Sequence, residues 1–178
     1  DLGVHYGGYW YGDTHIRAFS HTHLVGAGVG DWGNVGVMPA LGQVTQSQVE
    51  KTYSDGWAGT FDHKSEVAVP GHFAVDMELP WSEDHMHEWP PAERTVHAEV
   101  TAPDTHVGIH RYTFPPIKAT NRNVSLLFDV CHTASADADP LDAKSGIMLG
   151  STASGGPTQA CHAAAITVDD EAQSFTGW

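Results

Sequence analysis

The sequence predicts an all-β chain, an antiparallel β-sandwich with few or no helices, and three observations predict it. Apolar and polar residues alternate over several short segments, the spacing that turns one face of a strand toward a core. Gly, Pro, Asn and Asp punctuate the chain between those segments and mark turns. Apolar residues do not recur at helical spacing over helical length. Many short strands joined by turns are the pattern of two packed antiparallel sheets.

Taken in order, the first strand expected is Thr14–Ser20, followed after a glycine-rich stretch by Val35–Met38. Gln43–Lys51 suits a helical turn. In His72–Leu79 the apolar set is Phe73, Val75, Met77 and Leu79, with His72, Asp76 and Glu78 on the other face. The segment from Pro80 to Pro91 is rich in His, acid and Trp and is too long for a tight hairpin. In Arg94–Ala102, Val96, Ala98, Val100 and Ala102 alternate with Thr95, His97, Glu99 and Thr101. Val107–Phe114 follows, then Asn123–Val130, where Val124, Leu126, Phe128 and Val130 alternate with Ser125 and Asp129. Gly146–Leu149, Ala163–Val168 and Ser174–Trp178 complete the set.

With 178 residues the chain fits a single domain, 1–178, with a sizeable core. Hydrophobic residues make up 40% and the mean hydropathy is -0.28, a globular composition. No run approaches the ~20 apolar residues of a membrane span. The chain opens on Asp1-Leu2-Gly3 without a leader pattern and without Met, which reads as a segment of a longer polypeptide. Eight Lys+Arg against 22 Asp+Glu give a formal charge of -14, which repels phosphate backbones and argues against a nucleic-acid partner. The 13 His make that charge sensitive to pH near 6. Cys131 and Cys161 read as one disulfide of an extracellular chain rather than as metal ligands, because the close Cys pair usual in zinc sites is missing. Asn123-Val124-Ser125 satisfies the N-glycosylation pattern.

The densest chemistry lies in His21-Thr22-His23, which follows Phe19-Ser20 and precedes Gly26-Ala27-Gly28-Val29-Gly30. In a strand, residues i and i+2 share a face, so the two imidazoles can meet one ligand. Two ligands do not make a zinc site, and a third would have to come from Asp31, His15 or the histidines beside the cysteines. A His-rich metal-binding sandwich is therefore one reading, and a hydrogen-bonded polar corner is the plainer one. His85-Met86-His87-Glu88 raises the same alternatives in a loop. The glycines depart from the dinucleotide-binding spacing and lack a βαβ setting, which excludes a nucleotide site. Tyr6, Tyr9, Trp10, Tyr11, Phe19 and Trp32 sit among Gly, Asp and His, a mixture suited to sugar faces and equally to core packing.

Three stretches carry a resemblance. They are GGYWYGDTHIRAFSHTHLVGAGVGDWGNVGVMP (7–39), HKSEVAVPGHFAV (63–75) and HAEVTAPDTHVGIHRYTFP (97–115). In this order they resemble the amino-terminal domain of family 92 glycoside hydrolases, the calcium-dependent exo-α-mannosidases, with Phe19-Ser20-His21-Thr22-His23 the most specific match. The resemblance implies a supersandwich-like β-sandwich that packs against a separate α/α toroid. It further implies that the toroid holds the catalytic carboxylates and most calcium ligands, so that this chain contains no catalytic residue. Ser20, His21, His23, Asp31 and Trp32 are then the expected substrate-binding residues, facing glycans with terminal mannose, in a secreted or extracellular protein. Ala18 and His72-Phe73 depart from the family's Gly and Tyr-Tyr, which motivates a second expectation: a non-enzymatic extracellular glycan-binding or structural assembly module derived from the same fold.

Overall fold

The computed structural model of the chain describes residues 11–16, 18–21, 35–42, 58–79, 90–116, 123–129 and 165–177. Among these are β1 (His15–Ile16), β2 (Phe19–Ser20), β3 (Gly36–Leu41), β4 (Gly59–Phe61), β5 (Val67–Val69), β6 (His72–Glu78), β7 (Thr95–Asp104), β8 (Val107–Thr113), β9 (Val124–Asp129), β10 (Ile166–Asp169) and β11 (Ser174–Gly177). The only helical pieces among the described residues are 3-10 turns at His63–Ser65 and Pro91–Glu93. The protein is all-β, as its alternation predicts.

The strands fall into two compact units. The first holds β1, β4, β5, β6, β7 and β8, the second holds β2, β10 and β11, and the division passes through β3 after Val37 and through β9 after Leu127. The largest sheet runs β1-β4-β6-β7-β8, with β5 also on β6, and its pairs are antiparallel. A second sheet runs β2-β3-β9, and β10 and β11 form a two-stranded ribbon.

The centre of the large sheet is the β6–β7 hairpin, in register from His72↔Thr101 to Glu78↔Thr95. Its period-2 pattern puts Val75, Met77, Val96 and Ala98 on one face, where each is 0% exposed. Leu79, at the end of β6, is 1% exposed and donates its N–H to the carbonyl of Arg94 at 3.0 Å, closing the hairpin. Met38, Pro39, Ala40 and Leu41 of β3 are buried as well. The layers meet at Gly59, where an added Cβ would lie 3.2 Å from Met77 Cβ, 3.3 Å from Met38 Cε and 3.4 Å from Leu79 Cδ2. A glycine there lets the Met38 side chain of one sheet reach the Met77 and Leu79 side chains of the other, the close packing on which a sandwich core depends.

Where the strands differ from their expected extents, tertiary pairing is the reason. Thr14–Ser20 is two strands: β1 pairs with β4 through His15↔Thr60, whereas β2 pairs with β3 through Phe19↔Val37, so the chain changes sheets between them. β3 extends past Met38 through Pro39 to Leu41; β2 reaches only Val37 and Gly36, so the missing N–H of Pro39 falls beyond that pairing. β7 continues to Asp104 through a register shift after Thr101, which accommodates Pro103. β4 and β5 are three residues each, too short for alternation to reveal. The turn between β5 and β6 is Pro70-Gly71, with Gly71 at φ 80, the left-handed position after proline that favours glycine. The helical turn at Gln43–Lys51 and the strand at Gly146–Leu149 lie outside the described residues. So do Cys131 and Cys161. No helix among the described residues is long and apolar enough to cross a membrane.

Candidate functional site

The corner singled out by the sequence begins at β2. Ser20 pairs with Gly36 and is half-buried, and His21 follows it in a bend with its side chain exposed. Val35, the residue before β3, has φ 56. A β-branched residue in the left-handed region is strained by about 1–3 kcal/mol, and such strain gathers at functional sites. His23, Asp31 and Trp32 lie outside the described residues. His15, considered as a third ligand, is in β1 in the other sheet, 2.9 Å from Thr14 Oγ1 through its Nδ1. The structure thus sets Ser20 and His21 together at one strand end.

A second polar array lies on the outward face of the β6–β7–β8 sheet, and sequence reasoning did not single it out as a site. Asp76 and His97 are cross-strand partners with Oδ1 and Nδ1 2.6 Å apart. Glu99 opposes Arg111, whose guanidinium grips it at both oxygens, with Nη2 to Oε1 at 2.6 Å. His72 and His97 approach the same carboxylate at 3.7 and 3.9 Å. Beside this row, His63 Nδ1 lies 2.5 Å from Glu66 Oε2, and the His63 ring meets Phe61 edge-on at 5.1 Å. The Asp62 side chain caps this turn by accepting from the Lys64 N–H at 2.9 Å, and Ser65 Oγ holds the Asp76 backbone at 3.3 and 3.4 Å. On β8, His110 Nδ1 and Tyr112 Oη share a 2.8 Å hydrogen bond, and burial raises the Tyr112 phenol well above its usual range, keeping it protonated.

The chemistry of the array is that of held charges. The bidentate Arg111 bond keeps the Glu99 carboxyl below its ordinary range, with smaller contributions from His97 and His72. A general acid needs the opposite shift, so Glu99 is not suited to protonate a leaving group. Glu66, Glu78, Asp76 and Glu99 each have a His or Arg partner. Among the described residues no three His, Cys, Asp or Glu converge as a metal-ligand set. His63, Glu66 and Glu99 were visible in the sequence inside the quoted motifs, and alternation puts Asp76 and His97 on outward faces. Their pairing rests on cross-strand register, which no local pattern encodes.

A family model described as the glycosyl hydrolase family 92 N-terminal domain matches residues 2–178. Among solved structures, the chain is similar to the gh92 family glycosyl hydrolase ccman5, with 26% identity and a TM-score of 0.49 over 72% of this chain and 16% of that one. The chain therefore spans about one sixth of the length of that hydrolase. No curated protein matches the chain.

Proposed function

The chain belongs to the glycosyl hydrolase family 92 N-terminal domain family, and from that premise we propose that it is the non-catalytic sandwich of a secreted exo-α-mannosidase. In this reading it supplies one wall of the glycan pocket, and a separate α/α toroid supplies the rest. The observation that carries the reading is the Ser20–His21 corner, where the motif's hydroxyl ends β2 across from Gly36 and the exposed imidazole follows it in a bend. A hydroxyl or an imidazole at such a position can donate to or accept from a sugar hydroxyl. By the motif they belong to, His23, Asp31 and Trp32 are proposed as further sugar contacts, an indole being a suitable stacking partner for a sugar face.

Inverting glycoside hydrolysis needs one carboxylic acid and one carboxylate base, separated by about 6.5–9.5 Å to admit a water. Glu66 is paired within its own turn, and Asp76, Glu78 and Glu99 are paired with His or Arg across the β6–β7–β8 strands, which supports placing both catalytic groups in the toroid. Among the described residues no three His, Cys, Asp or Glu side chains converge as a ligand set. The parent enzyme's calcium belongs, in this proposal, to residues of the toroid, and the task of this chain is to orient the terminal mannose.

The test is mannose release from an aryl α-mannoside and from α-linked mannobioses by the full-length polypeptide, with His21→Ala and Ser20→Ala. Loss of one sugar contact predicts a fall in kcat/KM of about tenfold, equivalent to about 1.4 kcal/mol. Unchanged kcat/KM in both variants would remove the corner from the pocket. A full-length protein that binds mannosides without hydrolysing them would favour a glycan-binding module instead.

A further inference from the structure

We infer that Asn123 is a site of N-linked glycosylation and that its glycan shields the β9 edge from pairing with another chain. The inference rests on the secretory part of the proposed function. The sequon Asn123-Val124-Ser125 has no proline at its middle position. The structure sets Asn123 immediately before β9, with its side chain exposed. Its backbone is anchored there, because its carbonyl accepts the Gly42 N–H at 2.8 Å, so the side chain projects from a fixed point.

The strand that starts at this point is the reason a glycan matters. Among the described strands β9 is an edge of the β2-β3-β9 sheet. It is six residues long, and Val124 and Leu126 are 42% and 45% exposed. An apolar edge strand of this length is a template for edge-to-edge association. Natural proteins blunt such edges with charge, proline, bulges or a cover, and a bulky hydrophilic oligosaccharide at the first residue is a cover. In the attachment step the Asn123 amide nitrogen bonds to the anomeric carbon of a lipid-diphosphate-linked oligosaccharide. The bond from that carbon to the diphosphate oxygen breaks, the lipid diphosphate leaves, and the amide nitrogen gives up one proton to a base on the transferase.

The experiment begins with the full-length protein recovered from the cells that make it, and the medium and cytosol are assayed separately. Peptide mass spectrometry is expected to find Asn123 glycosylated in the extracellular protein, and to find Asp at that position after peptide-N-glycosidase treatment. Extracellular protein with a bare Asn123 overturns this inference and leaves secretion intact, whereas protein confined to the cytosol overturns both. For the shielding role, the folded glycoprotein is deglycosylated under native conditions and compared with Asn123→Gln by sedimentation velocity. Both are expected to associate at several-fold lower concentration than the glycosylated form, and Leu126→Lys is expected to reverse this. Identical sedimentation with and without the glycan overturns the shielding role.

Discussion

The β6–β7 and β10–β11 hairpins are both antiparallel and both built from alternating residues, yet they differ in burial. On β6–β7, Val75, Met77, Val96 and Ala98 are wholly inaccessible. On β10–β11 every residue is exposed, including Val168 at 66% and Phe175 at 45%. The ladder hydrogen bonds are of the same kind in both, so a difference in stability is expected to come from what lies against each hairpin. A two-stranded ribbon is at best marginally stable by itself, and β6–β7 is reinforced by β4, β5 and β8 on its edges. Among the described residues, Phe175 of the ribbon packs on Phe128 of β9, with centroids 4.3 Å apart.

That contrast can be broken in several places. Met77→Ala empties a fully buried site and is expected to cost about 2–5 kcal/mol, while Val168→Ala stays within about 0.5 kcal/mol. Equal costs in urea unfolding would abolish the distinction between the hairpins. Phe175→Ala removes the ribbon's aromatic contact and is expected to cost about 0.5–1.5 kcal/mol. Its signature is faster amide exchange in β10 and β11 with little change in β6 and β7; uniform acceleration would show that the ribbon is bound into the main cooperative unit.

Val35→Gly tests strain rather than burial. Relief of a left-handed β-branched residue outweighs the entropy cost of glycine, and the net expectation is about 1 kcal/mol of added stability. If the full-length protein then loses kcat/KM on α-mannosides as it gains stability, the strain serves the proposed pocket; a loss of stability would refute the strained geometry. The smallest effect is electrostatic. Because the Glu99 carboxyl is held low in the folded state, its contribution is fully present above the ordinary carboxylate pKa of about 4.3 and is lost as pH falls through its lower folded value. Glu99→Gln is expected to flatten the acid limb of the stability profile below that pH and to leave the profile unchanged in shape above it. An unaltered acid limb would show that the exposed Arg111 pair contributes nothing measurable.

Much of this fold was legible residue by residue. The alternation in 72–79, 94–102 and 123–130 located β6, β7 and β9; in β6 and β7 the apolar set is buried at Val75, Met77, Val96 and Ala98, whereas in β9 Val124 and Leu126 of the expected inward set are exposed. By contrast, Thr14–Ser20 reads as one strand because nothing local announces a change of sheet, and β4 and β5 are too short to show a period. Ser20 and His21 were legible as a candidate site because their motif is contiguous. The Asp76–His97 and Glu99–Arg111 pairs were not, because their members are 21 and 12 residues apart in the chain.

By itself, then, the sequence determined the longer strand-forming segments, the inward faces of β6 and β7, the polar corner after Phe19 and the sequon at Asn123. All of these depend on neighbours a few residues away, where backbone geometry dictates periodicity and turn chemistry. The tertiary structure alone decided that β1 and β2 enter different sheets, that Gly59 admits Met38 against Met77, and that Arg111 grips Glu99. Those outcomes depend on cross-strand register and on volume shared between layers, quantities that arise only once distant segments meet.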